Sequence, residues 1–406
     1  MSDTTDGFAE FERIKRHKLE HPKGWEPGVI WTGNTGSITV EAENEPDPAI
    51  WAFLIEDWDL DPKHTEIVPG SVQVRAWDAN LGSGEVKRMK YYRATLRPTD
   101  RKYVDRYDID RLCAQIVKRR PSKIEPPTAP RAFLVLLSDW QMGKSGEKGG
   151  GSEQIIERIN TALDRAVTRV KEMKKLGRSV GIVYLIGLGD LVEGCDGFYE
   201  AQTFNVDLNR REQMKIVRRL LLRAVDLFVD LGLPVVLSGV PGNHGENRKN
   251  GKMFTSFDDN DDVACIEQVA EILQANPDRY QNVSVPTQAI NAGDLTLTLD
   301  ICGVPVGFAH GHQFRNGANS QAKMENYLRG QALGRQSVGD AEILFAGHLH
   351  HFVVSEGTGR TVIQVPALDT GSRWFTETSG ASAPTGMVTC VISSSNPRGW
   401  SELEIV

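Results

Sequence analysis

The chain has 406 residues, 40% of them hydrophobic and 25% charged, with a formal charge of −7. That is the balance of a soluble globular protein, and at about 150 residues per domain it predicts two or three domains. The acidic total excludes a polyanion-binding surface spread over the whole molecule, so any nucleic-acid contact must be local. No apolar run nears the roughly 18 residues of a membrane span, and no apolar segment follows the charged start MSDTTDGFAEFERIKRHK. A cytoplasmic protein with no membrane partner is expected. Cys113, Cys195, Cys265, Cys302 and Cys390 form no CxxC pair and are odd in number, against a disulfide framework or zinc ribbon.

In chain order, 8–20 reads as a charged helix, 49–58 as a short apolar one, and 72–77 with 86–96 as a hairpin. The second hairpin strand interleaves Lys87, Arg88, Lys90, Arg93 and Arg97 with Tyr91 and Tyr92. Such a strand can hold a nucleic-acid backbone while a tyrosine stacks on a base; solvated hairpins carry the same residues. Pro121, Pro126, Pro127 and Pro130 fix extended backbone. They mark 121–130 as a linker between an α+β domain at 1–120, expected to position substrate, and a larger domain at 131–406.

Beyond the linker, strands and helices alternate. A strand at 133–137 precedes a helix at 152–176 with apolar Ile155, Ile159, Leu163, Val167 and Val170 on one face; a strand at 180–186 follows. A basic amphipathic helix at 208–231 runs into a strand at 234–237. Strands at 295–301 and 304–309 flank Cys302-Gly303, a helix spans 320–333, and strands close the chain at 343–346, 352–354, 361–365 and 387–392. Alternation of this kind predicts an α/β layered domain, and the late strands a second sheet. The glycine loop 146–151 lacks the helix chemistry of a P-loop and is expected to rim the site.

The apolar strands end in polar residues of one kind: Asp139 and Gln141 in SDWQ, Asp190 in GLGDLVEG, Asn243 and His244 in GVPGNHGE, His310 and His312 in FAHGHQ, His348 and His350 in FAGHLHH. An α/β sheet places its ligand crevice at such strand ends. Carboxylate, amide oxygen and imidazole without thiolate suit divalent cations. Two of them about 3.5–4 Å apart clamp a phosphoryl group and generate a hydroxide nucleophile at neutral pH. Two aspartates and one hydroxide against two such ions leave a formal charge of about +1, which attracts a phosphate.

The series D-x-[HQ], GD, GNH, H and GHxH, from Phe133 to the C-terminus, resembles the calcineurin-like metallophosphoesterases. The resemblance implies a two-sheet β-sandwich flanked by helices in four αββα layers. It implies a first cation on Asp139, Gln141, Asp190 and His350, and a second on Asp190 as bridge, Asn243, His310 and His348. It makes His244 the catalytic histidine that donates to the phosphate or protonates the leaving oxygen. The family has histidine where this chain has Gln141. An amide oxygen is the poorer donor toward zinc-like ions, so Mn²⁺ is the expected cofactor, with Mg²⁺, Zn²⁺ or Fe as alternatives. Three readings of Gln141 stay open: a tuned metal preference, an outer-sphere role through water, or a damaged site.

SDWQMGKS resembles the opening of the SbcD-type DNA repair nucleases, and similar chains are bacteriophage-encoded nuclease-like phosphoesterases, which would place this one in a host cytoplasm. The resemblance implies a dinuclear phosphodiesterase acting on DNA as a nuclease. A small-nucleotide phosphodiesterase or phosphatase, or a nucleic-acid-binding module without turnover, are the alternatives. Arg248 and Arg315 follow two of the motifs and are candidates to clamp a phosphate. Glu193 and Glu246 could orient water or His244. His312 and His351 stay outside the ligand set, and His17, His21 and His64 have no site context.

Overall fold

The computed structural model describes residues 25–406 except 33–34, 59, 61, 63–64, 81–85, 99–108, 121–129, 146–150, 200–201, 250, 287–293, 316, 358 and 370–383. The expected helix at 8–20, most of the proline linker, the glycine loop before Gly151, and His17, His21 and His64 lie outside the described residues. The chain divides into two compact units, Met1–Lys102 and Tyr103–Val406.

The first unit contains β1 (Gly28–Thr32), β2 (Thr35–Glu41), α1 (Pro48–Asp57), β3 (Thr65–Ile67), β4 (Gln73–Asn80) and β5 (Val86–Pro98). Helix α1 starts where the Asp47 carboxylate accepts the amides of Ala49 and Ile50, both at 2.9 Å, with Pro48 in the first turn. Strand β5 pairs antiparallel with β2, β3 and β4. Ile38, Val40, Tyr92, Ala94 and Leu96 of the sheet pack on Trp51, Leu54 and Ile55 of α1. This corrects the expected base stacking by Tyr91 or Tyr92: they are 0% and 7% exposed, and the Tyr91 hydroxyl donates to Glu41 at 3.1 Å. Two of the basic residues of this strand are engaged too. Lys90 donates to the Glu43 carbonyl at 2.9 Å, and Arg97 pairs with Glu66 at 2.5 Å.

The second unit runs α2 (Ile109–Val117), β6 (Ala132–Leu137), α3 (Gly151–Lys175), β7 (Ile182–Gly187), α4 (Arg210–Val229), β8 (Val235–Gly239), β9 (Arg248–Lys249), β10 (Lys252–Met253), α5 (Asp261–Leu273), β11 (Val283–Ser284), β12 (Thr296–Ile301), β13 (Val304–Ala309), α6 (Ser320–Leu333), β14 (Ile343–Ala346), β15 (Val353–Gly357), β16 (Arg360–Gln364), β17 (Val388–Ile392) and β18 (Trp400–Ile405). It is a mixed α/β arrangement. One sheet has the order β11-β8-β7-β6-β17-β18 and the other β12-β13-β14-β16-β15. Strands β11, β8, β7 and β6 are parallel, as are β13, β14 and β16.

Period-two alternation sorts β6 between two cores. Phe133, Val135 and Leu137 join a cluster with Ile159 of α3, Leu221 of α4, Ile266 of α5, and Leu112 and Ile116 of α2. Ala132, Leu134 and Leu136 join another with Val306 and Phe308 of β13 and Phe345 of β14. Both faces of β6 are therefore covered, which is why the strand is apolar throughout. Met324 and Leu328 of α6 pack on Leu344, Ala346 and Val362. Among the described residues, no helix is long and apolar enough to cross a membrane.

Candidate metal centre

Parallel pairing of β6, β7 and β8 sets three strand ends side by side, and β13 with β14 sets two more. The loops beyond them are stitched together. Asp139 N donates to the Gly189 carbonyl at 3.1 Å and Gln141 N to that of Asp190 at 2.9 Å. Contacts also join loops of different sheets, among them His310 Nδ1 to the Leu188 carbonyl at 2.7 Å and His348 N to the Asp139 carboxylate at 3.1 Å. Such approach needs glycine. A Cβ on Gly242 would lie 2.1 Å from Asp190 N, and one on Gly189, whose φ is +85°, 2.6 Å from Gly242 Cα. Asp139, Gln141, Asp190, His348 and His350 all take positive φ, between 44° and 72°. Non-glycine residues seldom do so, and the surrounding structure must hold them there.

Asp190, His310 and His348 offer donor atoms that all lie within 4.8 Å of one another. Asn243 Oδ1 is 3.0 Å from His310 Nε2, which is 3.1 Å from Asp190 Oδ2. Because His310 Nδ1 faces a carbonyl, which only accepts, Nδ1 carries the hydrogen and Nε2 serves the site. Burial lowers the His310 imidazole, but the Asp190 carboxylate outweighs it and pushes it up to about 9. Burial likewise works against the Asp190 charge, yet His310 and His244 hold its carboxyl well below the usual carboxylate range. His348 moves the other way, down to about 4, through burial and the neighbouring His310 charge.

A second group adjoins the first. His350 Nε2 is 3.1 Å from Asp139 Oδ1 and 3.2 Å from Gln141 Nε2, and its Nδ1 is 3.1 Å from Asp369 Oδ1. Burial lowers the His350 imidazole, and Asp139 with Asp369 overrides it to about 10. Gln141 Oε1, the oxygen expected to meet a cation, accepts instead from Lys144 Nζ at 2.6 Å.

His244 is held on three sides. Its ring stacks on Phe198 at 4.5 Å and 5°, Nδ1 faces the Glu193 carbonyl at 2.8 Å, and its backbone amide donates to Asp190 Oδ1 at 2.8 Å. That leaves Nε2 on the Asp190 side, 4.0 Å from Oδ2. The fully buried Glu193 also accepts from the Tyr199 hydroxyl at 2.8 Å, and burial pushes its carboxyl up. Arg248 lies over Phe198 at 4.3 Å and pairs with Glu246 at 2.8 Å. Arg315 is exposed. His312 packs its ring 5.5 Å from that of His310, with Nε2 3.8 Å from Glu246.

Sequence reasoning missed three supports: Asp262, Lys144 and Asp369. Asp262, fully buried, accepts the amides of Asp190 at 2.8 Å, Leu191 at 3.0 Å and Gly242 at 3.0 Å. One carboxylate thus ties the GD loop to the GNH loop. Burial and then the Asp190 charge push it up to about 7, while the Gly242 amide, the His310 charge and the Val192 amide oppose the shift. The available signal was Asn260, which caps α5 through the Asp262 amide at 2.9 Å. Asp262→Ala strands several buried amides at once, each worth about 1–3 kcal/mol. A loss of about 3 kcal/mol or more is expected in denaturant unfolding, with Asp262→Asn losing less because one oxygen remains. An alanine variant as stable as the parent would remove this role.

No family model matches the chain, and no curated protein matches it. Several solved structures are similar at a distance. A protein described as a predicted phosphoesterase from Streptococcus pneumoniae TIGR4 shares 12% identity over 65% of this chain and 84% of its own, with a TM-score of 0.28. Vps29 of Entamoeba histolytica in complex with Zn²⁺ shares 13% over 64% of this chain and 84% of its own, at 0.29. An archaeal phosphodiesterase shares 11% over 68% of this chain and 99% of its own, also at 0.29.

Proposed function

We propose that the chain is a metal-dependent phosphoesterase that hydrolyses phosphodiesters, with DNA as substrate. The observation that carries this reading is the convergence of five strand ends on a buried cluster of oxygen and nitrogen donors, with Asp190, His310 and His348 within 4.8 Å at its centre. The donor set fits divalent cations, since it offers carboxylate, amide and imidazole and no thiolate. Asp190, Asn243, His310 and His348 would hold one cation, and Asp139, Asp190, His350 and the Gln141 side chain would face another. When bound, such a pair neutralises phosphate charge and lowers the pKa of water. The fold reading goes with it: residues of both sheets share one core while helices cover the outer faces, which supports the four-layer αββα arrangement.

The chain's own residues supply the rest. Carbonyls behind His310 and His244 fix the tautomers, so that each ring turns Nε2 to the site. His244, clamped between Phe198 and the Asp190 carboxylate, is placed to hand a proton to the leaving oxygen or to hold the phosphate. Lys249, Lys252 and Phe254 are exposed just beyond the Asn243-His244 turn. Cations beside an aromatic ring suit a polynucleotide, as does the SbcD-like opening at Asp139.

The test uses the full chain stripped by a chelator, then resupplied with Mn²⁺ and offered labelled single- and double-stranded DNA or a chromogenic phosphodiester. Hydrolysis is expected only with the ion, and on DNA. Cleavage of the chromogenic ester alone would restrict the substrate to small esters, and DNA binding without any hydrolysis would remove the enzyme.

A further inference from the structure

Lys144 sits three residues beyond Gln141. Its ammonium donates to Gln141 Oε1 at 2.6 Å and to Asp369 Oδ2 at 2.5 Å. An ammonium offers donors and no acceptor, so the part of the amide turned to it is the oxygen. The amide NH₂ then faces His350 Nε2, 3.2 Å away. An amide nitrogen, its lone pair delocalised into the carbonyl, is no cation ligand. From the other side Asp369 Oδ1 lies 3.1 Å from His350 Nδ1, and His350 Nε2 points at Asp139 Oδ1, also at 3.1 Å. The Gln141 NH₂ thus lies on the Nε2 lone pair that a cation would need, while Asp369, held by Lys144, grips the outer Nδ1 edge of the same imidazole. Outer partners of this kind set ring orientation and donor strength.

We propose that Lys144 is a positioning residue that holds the Gln141 oxygen off the cation and its NH₂ on the His350 Nε2 lone pair, so that Gln141 competes with a cation instead of ligating it. The two cation positions are unequal as a result, with tight binding on Asp190, Asn243, His310 and His348 and weak binding on Asp139, Asp190 and His350. The inference rests on the metallophosphoesterase reading above. The weak position has one protein ligand fewer, and a cation there must displace the Gln141 NH₂ from the His350 nitrogen, a lost hydrogen bond that weakens its binding by on the order of tenfold or more.

The experiment titrates the chelator-stripped full chain with Mn²⁺, reading free ion by electron paramagnetic resonance and the spin-coupled pair at low temperature. The parent is expected to take one Mn²⁺ tightly and a second at least about tenfold more weakly. Lys144→Met should tighten the second by at least about tenfold and leave the first unchanged. Lys144→Arg, which keeps the charge, should keep the gap. Gln141→Ala, which frees the His350 nitrogen, should tighten the second affinity by up to about tenfold, whereas Gln141→His should tighten it and favour zinc. Two equal sites in the parent, or a second site in Lys144→Met that is unchanged or weaker while Lys144→Arg behaves as the parent, would overturn the inference alone. No bound Mn²⁺ in any of these proteins would overturn the phosphoesterase reading and this inference together.

Discussion

Asp190→Ala is expected to abolish hydrolysis, with a fall of at least about four orders of magnitude in kcat at saturating Mn²⁺, equivalent to some 5.5 kcal/mol of transition-state stabilisation. The size follows from how many roles converge on one carboxylate. Asp190 is 1% exposed; Oδ1 accepts the His244 amide at 2.8 Å, and Oδ2 lies 3.1 Å from His310 Nε2. As the proposed bridge it would serve both cations, so its loss removes charge from two positions at once. Asp190→Asn separates charge from scaffold. It keeps an oxygen for the His244 amide, so the loop should retain its shape by circular dichroism and thermal unfolding while bound manganese, read by elemental analysis, drops. A variant retaining a tenth or more of the parent rate would mean that the chemistry happens elsewhere.

The strands and helices that position this carboxylate were legible because local signals agree with the fold. Helix Ser320–Leu333 and strand Ile343–Ala346 fall on their expected bounds, since Asn319 caps the one through the Ala322 amide and the other is an apolar run too short for a buried helix. The motif residues were legible for a related reason. Gly189, Gly242 and Gly347 each precede, immediately or by one residue, a polar residue that ends a buried strand, and a glycine there marks close approach of backbones.

What stayed hidden depends on partners distant in sequence. Asp262 lies in the run FDDNDD, which reads as solvated acid, and the distant amides of Asp190, Leu191, Val192 and Gly242 give it a buried role. Asp369 carries no motif and meets His350 only in three dimensions. Tyr91 and Tyr92 show the converse. A basic, aromatic strand looks like a nucleic-acid platform until β2 and α1 cover the tyrosines. Strand β18, WSELEI, alternates weakly and owes its place to antiparallel pairing with β17. Strands β1 and β2 were missed because the apolar run of β1 is only Val29-Ile30-Trp31 and glycine, serine and threonine break up that of β2, and cross-strand pairing compensates for that.

His244→Ala is expected to lower kcat by about 10²–10⁴-fold, the usual range for a positioned general acid or base. Bound manganese should stay unchanged. His244 contributes no donor to the Asp190, His310, His348 triplet, and its Nε2 is 4.0 Å from Asp190 Oδ2. Proton donation and phosphate holding then separate by leaving group. A nitrophenolate departs without a proton, so if His244 acts as the acid the loss should be small on the chromogenic diester and large on DNA, whose alkoxide must be protonated. If His244 binds the phosphate, both substrates should lose rate alike. Phe198→Ala adds a second readout, because Phe198 stacks on the ring face and offers its nitrogens no hydrogen bond. Removing the stack loosens a ring still held by the Glu193 carbonyl, so its effect should run parallel to that of His244→Ala across the two substrates but at a fraction of the size. No loss on either substrate in the alanine variant, with a Phe198→Ala enzyme as fast as the parent, would leave His244 as a passive neighbour of the cations.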